Sequence, residues 1–97
     1  MHSADVTSSP EATYMEKVEG FIRSTGHYYD LVLPMQTNPE FMEPLAKVYK
    51  AGFQTNTSAR VIAMLAVDGA NYCRQLPEFG IRFLEDVANR LNSKLPH

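Results

Sequence analysis

The run Val61-Ile62-Ala63-Met64-Leu65-Ala66-Val67 decides the fold. Seven consecutive residues make about two turns of α-helix, and here every direction around the axis is apolar. The run therefore predicts a central helix covered on all sides, by its own neighbours or by a second copy of the chain. Ile62 and Leu65 are expected to be nearly fully buried. Ser58 or Thr57 is placed to cap this helix, which spans about 58–75. Its second half reads as amphipathic, with Asp68, Asn71 and Gln75 opposite Leu65, Gly69, Tyr72, Cys73 and Leu76.

Working outward, Pro77-Glu78 opens a fifth helix whose apolar stripe is Phe83, Leu84, Val87, Ala88 and Leu91, with Arg82, Asp86 and Arg90 on the solvent side. Towards the N-terminus, Ser8 and Glu11 have capping-box spacing, and Pro10 starts helix 1, which ends at Gly26. Residues 27–33 are read as a short helix stopping before Pro34, because proline disfavours α geometry in the residue that precedes it. Thr37 or Asn38 followed by Pro39-Glu40 starts helix 3. Pro44 is expected to kink that helix or to split off its first turn. Gly69 and Gly80 fall on or beside buried stripes and predict close helix approach.

The fold class is therefore an all-α bundle of four or five short helices. Residues 1–9 are expected to be a disordered N-terminal tail, and 10–95 a single helical domain.

Composition narrows the function classes. Nine Lys and Arg residues against eleven acids give a formal net charge of −2, and the bases are scattered, so the basic footprint of a nucleic-acid binder is missing. The apolar run stops at Asp68, far short of a bilayer-spanning length. With a single cysteine and no leader-like N-terminus in the given chain, a cytoplasmic setting is expected.

Candidate chemistry is sparse. Cys73 lies on an apolar helix face and reads as a core cysteine, although His27 offers a conceivable base. No E-x-x-H or H-x-x-H spacing points to a metal site, so neither metal nor cofactor is expected. The paired carboxylates Glu40 with Glu43 and Glu85 with Asp86 fit helix first turns and solvent faces. Tyr28 and Tyr29, as neighbours on a helix, are expected to point in different directions. By elimination, the sequence reads as a non-enzymatic protein-binding or assembly protein, working through a helical surface as a homodimer. Its expected interaction residues are Tyr28, Tyr29, Met35, Phe41, Val61, Met64 and Asp68. The alternative is a binder of a small apolar ligand, held between helices 1, 3 and 4, or of a lipid or hydrophobic granule surface.

Overall fold

The computed structural model describes residues 9–95, and among these the chain is helical with no strand. Helix α1 spans Pro10–Ser24. Its cap is Ser9, whose hydroxyl accepts the Ala12 N–H at 3.1 Å, while Ser8 and the rest of the expected tail lie outside the described residues. Gly26, at φ 81°, ends the helix as expected, and its N–H bonds the Arg23 carbonyl at 3.0 Å.

The next segment departs from expectation. Tyr28–Val32 forms a π-helical turn that runs straight into α2, Leu33–Gln36, so the helix does not stop before Pro34. The Val32 N–H reaches back five residues to the His27 carbonyl at 3.2 Å. A π turn widens the coil just before the proline ring, which relieves the crowding that a normal α turn would impose, and the missing N–H falls at the junction. Because the helix continues past Pro34, Met35 lies one turn beyond the buried Leu31 and is itself buried.

Helix α3, Pro39–Gln54, is capped by Asn38, whose side chain accepts the Glu40 N–H at 3.0 Å. Pro44 does not split it. The helix is one continuous element that forgoes a single hydrogen bond at its sixth residue and buries the ring. It closes with Asn56 in the left-handed region, φ 58°, and the Thr57 N–H bonding the Gly52 carbonyl at 2.9 Å, a Schellman ending. The Tyr14 hydroxyl donates to the Thr57 carbonyl at 2.7 Å and ties α1 to this loop.

Helix α4 is Ala59–Gln75, capped by Ser58, and α5 is Pro77–Asn92. Leu76 alone makes the corner, with extended backbone between the two helices. The last helix doubles back on α4 and also runs along α3, while α1 and the π turn pack on other sides of α4. Lys47 of α3 reaches Glu85 of α5 at 3.8 Å.

The molecule measures 46 × 35 × 23 Å, so its thinnest dimension holds two layers of helix, each about 10 to 12 Å across. Two layers leave one side of any helix in solvent. Accordingly α4 is not buried all round: Ala59, Ile62, Ala63, Ala66, Gly69, Ala70 and Cys73 face the core, whereas Val61 and Met64 are exposed and Leu65 is half-buried. Ile62 is at 0% exposure, as expected, and Leu65 is not. Tyr72 and Leu76 are also exposed, contrary to their expected place on the inner face.

What faces inward on α4 is mostly small, and that permits close approach of α5. A methyl group added at Gly69 would meet Leu84 Cδ2 at 2.5 Å, and one at Gly80 would strike Cys73 at its sulfur, at 2.6 Å from its backbone nitrogen and at 2.7 Å from its Cα. These contacts have different costs. The Leu84 side chain can rotate, and Gly→Ala in a helix gains roughly 1 kcal/mol of propensity, which offsets the crowding. The Cys73 backbone has no such freedom. Gly80→Ala is therefore expected to lose about 2 kcal/mol or more in urea unfolding, and Gly69→Ala clearly less, with Cys73→Ala failing to rescue Gly80→Ala. Equal costs for the two glycines would contradict this packing.

Candidate interaction surface

The outer side of α4 follows from helix geometry. At 3.6 residues per turn, Val61, Met64, Leu65, Asp68 and Tyr72 share one side, opposite Ile62, Ala66 and Cys73. Of the outer set, Val61 is 44% and Met64 57% exposed. The strip continues through Tyr72 to the corner, where Leu76 and Phe79 are also exposed, Phe79 at 58%. Asp68 is the acid within this strip. It is solvated and is not part of the core, as its position beside Asn71 implies.

Two clefts flank the strip. One, of about 510 Å³, lies at the corner and is lined by Tyr72, Phe79, Arg82, Phe83 and Asp86. The Tyr72 and Phe83 rings meet edge to face there at 5.0 Å between centroids. The other, of about 340 Å³, separates α1 from α4 and is lined by Phe21, Ser24, Thr25, Arg60, Ala63 and Met64. Arg60 holds its guanidinium over the Phe21 ring at 5.2 Å.

The remaining expected surface residues do not join this strip as a group. Tyr28 and Tyr29 sit on the π turn. Contrary to the expectation that neighbours diverge, their rings meet edge to face at 5.0 Å, since a wider turn swings successive side chains through a smaller angle. Tyr29 is 74% exposed, whereas Tyr28 is half-buried under the Arg23 guanidinium at 4.5 Å and donates its hydroxyl to Gln36 at 3.4 Å. Met35 is a core residue and contributes no surface. Phe41 is half-buried and, with Met35, Cys73 and Asp30, lines a small cleft of about 250 Å³ between α3 and the π turn. Tyr72, Leu76 and Phe79 were the surface residues not expected from the sequence. Their signal is the four-residue step: Tyr72 lies one turn beyond Asp68 and so shares its side.

The shifted equilibria among the described residues belong to weak acids that burial holds in their uncharged form. Burial, aided by the Glu40 carboxylate, pushes the Cys73 thiol up, and burial raises the Tyr14 phenol. Tyr49 is pushed up to about 12 by burial, with the nearby Gln36 amide acting in the opposite sense and the Glu19 carboxylate reinforcing the rise. Its hydroxyl has no partner in hydrogen-bond geometry among the described residues. The His27 Nδ1 atom and the Asp30 carboxylate lie 3.3 Å apart at the surface. Among the described residues, no three side chains of His, Cys, Asp or Glu gather as a metal site, and no helix is long and apolar enough to cross a membrane. Comparison with protein-family models, with curated proteins and with solved structures finds no match to this chain.

Native Cys73 is expected to react with a disulfide reagent at least on the order of 100-fold more slowly than the unfolded chain, because attack must await local opening. Labelling at the unfolded rate would overturn its placement. For Tyr49, the folded state keeps the phenol protonated to a higher pH than the unfolded chain, whose value is near 10.0. Its contribution to stability is therefore fully present below about pH 10 and is lost as pH rises toward 12, by at most about 2 to 3 kcal/mol. Tyr49→Phe should flatten that alkaline decline in urea titrations and leave stability at pH 7 unchanged or improved, since the hydroxyl it removes is unpartnered.

Proposed function

We propose that this chain is a non-enzymatic protein-binding or assembly protein that self-associates as a homodimer through the outer side of α4. The observation that carries the reading is the apolar strip itself. Val61, Met64 and Tyr72 of the central helix, Leu76 at the corner and Phe79 at the start of α5 are large exposed side chains along one side of a two-layer bundle. Single exposed hydrophobic residues are ordinary on monomers, but a continuous strip rimmed by charge marks an interaction site. A two-fold partner is the commonest cover for it in a homo-oligomer. Methionine and tyrosine are suited to such a contact, because one adapts its shape and the other combines apolar area with a polar tip.

A second reading draws on the corner cleft. Its volume of about 510 Å³ and its Tyr72, Phe79 and Phe83 walls suit a small apolar ligand or the headgroup boundary of a hydrophobic phase. In that case native mass spectrometry of the purified chain should retain a small molecule.

Sedimentation of the wild type over a wide concentration range tests the first reading. A dimer is expected, and Val61→Asp or Met64→Asp should each convert it to monomer while the helical circular-dichroism signal survives. A wild type that stays monomeric at high micromolar concentration would end the proposal. Loss of the helical signal in both variants would instead place these side chains in the core.

A further inference from the structure

Arg60 and Asp68 are opposite charges on α4, and neither takes part in an ion pair among the described residues. They stand four residues to either side of Met64, so the three side chains form one row along the helix, spaced about 6 Å apart. We propose that a second copy of this chain docks antiparallel on this row, with the two-fold axis passing at Met64, so that Arg60 of each copy pairs with Asp68 of the partner subunit. This register rests on the homodimer reading above and specifies its geometry.

In an antiparallel pair related by that axis, residues equally far from Met64 in opposite directions come to the same height. Arg60 then meets the partner's Asp68, Val61 stands level with the partner's Val67, and Met64 meets the partner's Met64. Opposite charges and apolar groups are matched at each level. When two helices cross near −50°, rows of residues four apart run parallel in both, which brings the charged ends of the row face to face.

A competing register places the axis at the middle of the strip from Val61 to Leu76. That midpoint falls between Asp68 and Gly69. Two carboxylates would face each other there and Arg60 would stay unpaired, so electrostatics selects the Met64 register over it.

Shape agrees with charge. An isologous interface uses the same patch on both copies, so a protrusion must lie beside the hollow that receives its counterpart. Met64 is 57% exposed, and the cleft of about 340 Å³ that it lines with Phe21, Ser24, Thr25, Arg60 and Ala63 adjoins it.

Charge reversal tests the register by sedimentation velocity. R60E and D68R should each weaken dimerisation tenfold or more, because each change breaks both symmetric pairs. Mixing the two variants in equal amounts should restore dimers, since every contact between unlike copies is then between opposite charges. The double variant R60E/D68R should dimerise with itself and not with wild type. As a second readout, M64C should form an intermolecular disulfide under mild oxidation, with the buried Cys73 a poor competitor. Both charged positions are exposed, so circular dichroism should confirm that the variants fold. Single variants that dimerise like wild type, or a mixture no tighter than either variant alone, would overturn the register. If Val61→Asp still disrupts the dimer in that case, the surface stands and only the register falls. A monomeric wild type overturns both.

Discussion

The close approach of α5 to α4 is the contact on which the rest depends. It requires side chains of almost no bulk where the helices touch, and the chain provides them at Gly69 and Gly80. The rest of the inner side of α4 is slim as well, with Ala59, Ala63, Ala66 and Ala70 buried; Ala63 adjoins α1 and Ala70 adjoins the π turn. The consequence reaches the opposite side of the same helix. With the inner positions given to alanine and glycine, the bulky apolar residues of the run, Val61 and Met64, stand outside. A helix normally places its largest apolar side chains inward, because each contributes about 1.5 to 3 kcal/mol when buried. Here that gain is taken at Ile62 and, from the neighbouring helices, at Ile22, Val48 and Leu84.

This inversion explains what was legible in the sequence and what was not. Helix starts could be read because Pro10, Pro39, Pro77 and the capping residues Asn38 and Ser58 act locally, within one turn. The close packing of Gly69 and Gly80 could also be read, since glycine on an apolar stripe has few other uses. The run from Val61 to Val67 misled because uniform hydrophobicity carries no direction. Direction is present in side-chain size: alanine or glycine at 59, 63, 66, 69 and 70 recurs with helical period, as do the large residues at 61, 64, 65 and 72. The π turn left no such trace. It changes the coil over one turn only, and its effect on Met35, brought into the core by a helix that continues past Pro34, is a matter of backbone phase.

The candidate surface is pre-ordered by the fold around it. Arg60 is held over Phe21, and the loop before α4 is fixed by the Schellman ending of α3 and by the Tyr14 bond to the Thr57 carbonyl. A side chain already restricted in the free protein loses less rotamer entropy on association, where each ordered long side chain costs about 0.5 to 1.5 kcal/mol. A stable interface needs about 800 Å² from each partner, more than the width of one helix supplies. The proposed dimer would therefore draw on the flanks, which are apolar where they adjoin the strip: Phe21 of α1 on one side, Phe79 and Phe83 of α5 on the other.

Burial dominates the titration behaviour of the molecule: it takes Tyr14, Tyr49 and Cys73 upward and keeps them uncharged. Its larger cleft is walled by aromatic rings, and the carboxylate on its rim, Asp86, is bound to Arg90 at 3.1 Å. On the outer side of α4, Arg60 and Asp68 have no ion-pair partner among the described residues and stand two helical turns apart with Met64 between them. Two opposite charges at that separation cannot neutralise each other within one copy. A row bearing them at its two ends is complementary in charge to its own antiparallel image, which is the ground of the proposed register.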